Sequence, residues 1–400
     1  MANMTALERC KHFGVANIQG MAYMPGPSNY RKGMPPGSLY EDSDFYNNIF
    51  HALWGFINPN ERGRRDFGRF QQQLGVNFIH CYDWAAPVSQ IDENGQLRHL
   101  RTHVGFLASA AQDGMKATVP ISNYTMQLLS EGRTEEARKN VGQIIPEVYS
   151  AGQPIAGVGM WKIFNEYELW FDRNPAHVVT AMKWIAEWEA TSGITDANAL
   201  PVMVCTSFGM EDGIEGAGYL RKVRDVLLKA GKIGKTDPAA FWNDRIVFAT
   251  NPQNDGTDIA DYLARRLPGY WDRHGIPVPP VMFTELGSSI QQTGGESQQA
   301  EWLSRQIAAS TPGSSNGMML GACVFLNEER PWEAGAEKGF GIMRFGADSG
   351  WGHPEQNYEI QTAYPQWDPK GWWWAKLATY PVEQQAPKLN YQSVAKAWRR

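Results

Sequence analysis

Two glutamates stand where apolar runs give out. Glu166 follows the run in MWKIFNEYELW, and Glu285 follows the run in PPVMFTELG. A carboxylate at the end of a buried segment is costly unless it has a partner or a task. Facing carboxylates have such a task in glycoside cleavage. One holds a proton and gives it to the leaving oxygen, while the other is ionised and attacks the anomeric carbon. Like charges a few ångströms apart resist joint ionisation, which separates the two roles. Other polar groups close neighbouring runs: His80 with Tyr82-Asp83-Trp84 after the second, Asn251 after the sixth, and Asn327-Glu328-Glu329 after the eighth. Glu328 is a rival acid, or else it lines a subsite or binds Arg330. His80 and Asp83 read first as structural hydrogen-bonders, with one of them expected to touch substrate.

These residues need elements to hold them. Eight short runs rich in Val, Ile, Phe and Met recur: 14–23, 75–84, 115–122, 157–165, 200–208, 245–251, 279–285 and 319–327. Such runs suit strands buried on both faces, as in a parallel sheet. From the second onward their starts leave room for a crossover helix each time. Asn174-Pro175 marks a helix start that closes at Gly193, and Thr134 opens another that Pro146 kinks or ends. Residues 258–267 and 296–310 read as two more helices. Eight β-then-α units predict a single (β/α)8 TIM barrel over 1–400, with a doubly wound sheet as the alternative. The latter should carry a glycine-rich phosphate turn near its first strand, and none is present. The long first βα loop, 24–74, and an aromatic, mostly irregular tail, 333–390, depart from the minimal barrel. In a barrel the chemistry sits at the carboxyl ends of the strands, so strands four and seven would bring Glu166 and Glu285 to one mouth.

Composition narrows the classes. The 400 residues carry a net charge of −5 with no basic cluster, which argues against nucleic acid as the main partner. No apolar run approaches the ~18 residues of a membrane span. The first residues, MANMTALERCKHF, lack the apolar core of a signal peptide, and a processed start is left open. Cys10, Cys81, Cys205 and Cys323 read as small core residues with free thiols. The pair His99 and His103 reads as two exposed histidines rather than a zinc site. Asp92–Gly95 reads as a hairpin turn, Asn123-Tyr124-Thr125 is a formal glycosylation sequon, and GxSxG is absent. Sixteen tryptophans are many for this length. Trp84, Trp161, Trp170, Trp332 and Trp351 are candidates to stack on sugar rings. Trp84 and Trp332 lead because each follows a strand end, and Trp161 comes last because it lies inside the fourth run. Tyr23 and Tyr167 share this reading, with rim packing as the alternative.

WKIFNEYE resembles the strand-four signature of clan A glycoside hydrolases, and PPVMFTELG resembles their strand-seven signature. The resemblance implies Glu166 as acid/base, Asn165 as ligand of the sugar 2-hydroxyl and Glu285 as nucleophile. IQGMAYMPG, LGVNFIHCYD and FLNEERPWEAGAEKGFGI resemble the corresponding strands of 1,3-β-glucanosyltransferases and, for the last, of 1,3-β-glucanases. The resemblance spans residues 12 to about 345. His80 replaces a frequent arginine, Tyr167 replaces a frequent proline, and strand six lacks the Tyr or His that often hydrogen-bonds the nucleophile. The expectation is a retaining enzyme on an oligo- or polysaccharide, a β-glucan first, needing no cofactor because two glutamates suffice. Transfer to a second sugar, and a binding barrel without turnover, stay open beside it; a metal-dependent hydrolase ranks low because the runs supply only His80.

Overall fold

The structure, a computed structural model, describes residues 4–25, 44–47, 50–55, 64–84, 102–210, 215–330, 333, 335–345, 358–367, 373–382 and 385–399. All eight apolar runs become strands of one closed barrel. They are β1 (Ile18–Ala22), β2 (Phe78–His80), β3 (Lys116–Ile121), β4 (Val158–Ile163), β5 (Val202–Thr206), β6 (Ile246–Thr250), β7 (Val281–Leu286) and β8 (Met319–Val324). Each pairs in parallel with its neighbours in sequence, and β8 returns to β1. At that seam Gly321 has φ +126, and a Cβ there would lie 2.1 Å from the carbonyl oxygen of Ile18, so only glycine fits.

Burial explains why the runs are continuous rather than alternating. Every residue of β4, β5, β6, β7 and β8 is buried, one set of side chains inward and the other beneath helices. Met160, Met203, Cys205, Val247, Ala249, Met282, Leu320 and Cys323 pack together as one apolar cluster of the barrel. All four cysteines are buried and free. Lys162 is the charged exception within β4, and it too is fully buried.

The helices follow their local signals. Asn174 caps Pro175–Thr191 by accepting from the Ala176 amide at 3.0 Å, and Gly193 turns left-handed beyond its end. Thr134–Val148 tolerates Pro146 near its last turn and ends two residues later. The helix expected over 258–267 is longer: Gly256–Asp261 runs through a π turn, Tyr262–Arg266, into Leu267–Arg273. The wide turn accommodates Pro268, which has no N–H to give. Among the described residues no helix is long and apolar enough to cross a membrane.

The tail is more regular than expected. β9 (Met343–Phe345) pairs antiparallel with β12 (Gln385–Pro387), and β10 (Tyr358–Trp367) pairs with β11 (Trp373–Val382) in unbroken register. Pro365 and Pro381 hide this ribbon in the sequence, because proline interrupts most strands. Trp372, between its strands, lies outside the described residues.

Candidate active site

The end of β4 is bent. Phe164 and Glu166 both have φ +53, in the left-handed region that costs a non-glycine residue about 1–3 kcal/mol. Local hydrogen bonds hold this shape. The Asn123 side chain accepts from the Asn165 amide at 2.7 Å and donates to the Asn165 carbonyl at 3.0 Å. The Glu166 amide donates to the Cys205 carbonyl at 3.1 Å. One turn on, Glu168 accepts from the Ser207 amide at 2.6 Å and hydroxyl at 2.9 Å, tying the turn after β4 to the end of β5.

A cavity of about 470 Å³ opens over these residues. Glu166, Glu285, Asn165, Tyr82 and Asp83 line it, with Trp170 and Phe171 on one wall and Arg330, Glu333 and Glu337 on another. The two glutamates see different neighbours. Glu285 accepts at the same oxygen from the Tyr82 hydroxyl at 2.8 Å and from Asn165 Nδ2 at 3.2 Å. Glu166 accepts from Asn251 Nδ2 at 3.1 Å. Behind them the Cys205 thiol donates to Asn165 Oδ1 at 3.2 Å, and Thr284 donates to Asn251 Oδ1. These contacts fix which end of each amide faces which carboxyl.

Both carboxyls are held above the usual range. Burial pushes Glu285 up to about 8, the charge of Glu166 adds to it, and the Tyr82 hydroxyl and Lys162 pull the other way. Burial also raises Glu166, with the Asn251 hydrogen bond opposing. The arrangement can therefore keep one proton between two carboxyls near neutral pH, which is the requirement for acid and nucleophile on one site.

The structure brings Glu166, Glu285, Asn165, Asn251 and Asp83 of the sequence-derived set to this cavity or into direct contact with its carboxyls. It does not bring the others. Tyr23 is buried and donates to Asp66 at 2.8 Å, because its ring anchors the long first loop against Phe67 and Phe70. Trp84 is buried with its ring 4.2 Å from that of His103, so it packs rather than projects. His103 is not exposed, since Asp44 at 2.8 Å and Glu147 at 2.7 Å clamp it. His80 lies beneath the cavity floor, 3.1 Å from Lys162, and its ring meets that of Tyr82 edge-on. Tyr167 packs between Phe164 and Phe171 and hydrogen-bonds Asp172 and His177. Glu328 is buried in an ion pair with Arg64 at 3.0 Å and does not line the cavity. Trp161 packs as expected, donating to Glu189 at 3.2 Å. Trp332, Trp351, His99 and Asp92–Gly95 lie outside the described residues.

Tyr82 and Lys162 are neighbours of the carboxyl pair that sequence reading did not single out. Tyr82 supplies from β2 the hydroxyl that strand six lacks. A charged residue within the otherwise apolar MWKIF run was the available signal for Lys162. Trp170, at 66% exposure the most open large apolar side chain among the described residues, is the cavity aromatic that was ranked behind Trp84.

A scan against protein-family models finds no match, and a search of curated proteins finds none. Solved structures are similar at the level of the chain trace. A GH2 β-galacturonidase from Eisenbergiella tayi, bound to galacturonate, aligns at 13% identity and TM-score 0.47, covering 96% of this chain and 51% of that one. Gas2p of Saccharomyces cerevisiae in complex with laminaripentaose aligns at 12% and 0.44, covering 83% and 57%. The β-glycosidase BGL167 aligns at 12% and 0.47, covering 93% and 98%. The chain thus spans about half the length of the first two of these proteins. At such identities, what individual residues do follows from the geometry of this chain.

Proposed function

We propose that the protein is a retaining glycoside hydrolase in which Glu166 is the acid/base and Glu285 the nucleophile. One observation carries the reading: two carboxyls, half-buried Glu166 after β4 and buried Glu285 in β7, line one cavity with unlike hydrogen-bond partners. Tyr82 and Asn165 both direct hydrogens at Glu285, and such donors favour its ionised form. Burial presses harder on Glu285, while Tyr82, Asn165 and Lys162 favour its charge, and in this reading the single negative charge of the pair is assigned there. Glu166, which accepts from Asn251 and Trp170 and also feels Lys162, is assigned the proton. In the first step Glu166 protonates the departing glycosidic oxygen while Glu285 attacks the anomeric carbon. In the second, ionised Glu166 takes a proton from the acceptor as it displaces Glu285. Asn165 lies beside the nucleophile, where a sugar 2-hydroxyl would sit, and this agrees with the role that the strand-four resemblance implies.

The substrate we propose is a β-linked glucan, on the strength of the strand motifs. Trp170 and Phe171, on the Glu166 side of the cavity, form a flat apolar wall for the leaving or accepting sugar. The exposure of Trp170 favours transfer to a second sugar as the other reading, since a bound acceptor competes with water. Incubation with linkage-defined β-glucans, followed by proton NMR of the first product, tests both. We expect β-configured product first, longer oligosaccharides if transfer occurs, and loss of turnover in Glu285→Ala. Inverted product would refute the mechanism. Binding without any bond cleavage in wild type would refute the enzyme.

A further inference from the structure

Lys162 is a fully buried lysine inside β4, four residues before Glu166. Buried lysines normally pair with a carboxylate. Among the described residues no carboxylate lies within ion-pairing distance of this one. Burial lowers its proton affinity, and Glu285 and Asp83 among its neighbours act the other way; its contacts suit an ammonium group. Nζ donates to the Cys81 carbonyl at 3.0 Å, lies 3.1 Å from His80 Nε2, and sits 4.2 Å from the centre of the Tyr82 ring. An ammonium has three N–H groups and no lone pair, so two hydrogens meet acceptors and the third meets a π face. His80 must then accept at Nε2, as a neutral imidazole. Burial and the lysine charge both push its protonation well below the ordinary histidine range, which agrees.

The same tyrosine ring carries the hydroxyl that donates to Glu285. A cation over a phenol ring withdraws electron density from it and makes its O–H a better donor. We propose that Lys162 is a positioning residue for the carboxylate pair: its buried charge, acting directly and through Tyr82, holds the negative charge of the pair on Glu285. The inference rests on the two-glutamate reading for its purpose, but not for its physics.

The groups that face this cluster are known from each wall. His80, Cys81 and Asp83 come from β2 and its end, Cys205 from β5, Glu285 from β7 and Cys323 from β8. Glu166 and Glu337 face Glu285 across the cavity. Among these, the thiols are held neutral by burial. Lys162 is the cation beneath the pair, whereas Arg330 on the cavity wall is paired with Glu333 at 2.7 Å; removal of Lys162 should raise the proton affinity of both glutamates.

Lys162→Met tests this on the full chain. Carbon-13 NMR of glutamate-labelled protein, assigned with Glu285→Gln and Glu166→Gln, follows both carboxyls without substrate. We expect each titration to move to higher pH, Glu285 by on the order of one unit and by more than Glu166, with both limbs of the kcat/KM profile on an aryl β-glycoside following; an equal shift of the two would overturn the placement of the charge on Glu285. In the Tyr82→Phe background the shift at Glu285 should shrink, since the hydroxyl link is gone. Unmoved titrations in a folded Lys162→Met protein would overturn the proposal, whatever happens to its Tm. Should that variant not fold, lysine-side-chain nitrogen-15 NMR of wild type decides: a charged ammonium at pH 7 supports the proposal, and a neutral amine overturns it. A protein that cleaves no glycoside yet shows the carboxyl shift would refute the enzyme reading and leave this one standing.

Discussion

Glu166→Gln separates the two carboxyls with little change of shape. The amide keeps an oxygen to accept from Asn251, as Glu166 does at 3.1 Å. Two charges at the ~5.5 Å of a retaining pair, in an effective dielectric of about 20, repel by about 3 kcal/mol. That is about two pKa units, so the wild-type kcat/KM profile should be a bell whose limbs stand at least that far apart. The acidic limb is ionisation of Glu285 while Glu166 is still protonated. The basic limb is loss of the second proton, against the charge already present. In Glu166→Gln the second ionisation does not exist. The acidic limb should stay nearly in place, because a neutral Glu166 and a neutral amide repel Glu285 equally little, and the basic limb should vanish. The rates should divide by leaving group. A sugar leaving group needs a proton, and its cleavage should slow by about 10²–10⁴-fold, whereas formation of the glycosyl-enzyme from an activated aryl glycoside should change little. The assay is pre-steady-state release of the aryl group across pH, beside product analysis on a β-glucan. A basic limb that survives, or equal slowing of both substrates, would show that Glu166 is not the acid.

Three further outcomes follow from other side chains. Burial opposes the charge on His103, but Asp44 and Glu147 outweigh it and raise the imidazole to about 9. Its contribution is therefore full below about pH 6.5 and lost as pH rises through about 9, a change of about 3 kcal/mol; Tm should fall over that window in wild type and hold steadier in His103→Gln. Arg64 neutralises both Asp66 and Glu328 out of contact with solvent, at 2.6 and 3.0 Å. Arg64→Met should cost about 3–5 kcal/mol in urea denaturation, and a loss below 1 kcal/mol would mean the cluster relaxes around the gap. Trp170→Ala should raise KM for oligosaccharides several-fold and reduce any transfer product, measured by product analysis on a β-glucan; unchanged KM and product pattern would remove Trp170 from the sugar-binding wall.

The barrel was legible because burial on both faces writes itself as unbroken apolar runs, and all eight were strands. The carboxyl pair was legible because Asn165-Glu166 and Thr284-Glu285 end two of those runs. The surrounding aromatics were not. Trp84, Tyr23 and Tyr167 follow strand ends just as a sugar platform would, and only the tertiary packing shows that each is claimed by a loop or a turn. Glu328 failed for a similar reason: its neutralising arginine, Arg64, lies far away in sequence. Tyr82 could not be chosen over Asp83 or Trp84, since which of three consecutive residues faces inward depends on where β2 stops.

In an extended strand, consecutive side chains point to opposite faces. The left-handed turns at Phe164 and Glu166 cancel that alternation, so that Asn165 and Glu166 both reach the same cavity, the first against Glu285 and the second against Asn251. One dipeptide thus presents two neighbouring groups to one space. Adding or deleting a single residue between Ile163 and Tyr167 would turn at least one of them away while the staves of the cylinder still close. Sequence length at this corner is accordingly far less free than sequence identity on the outer helices.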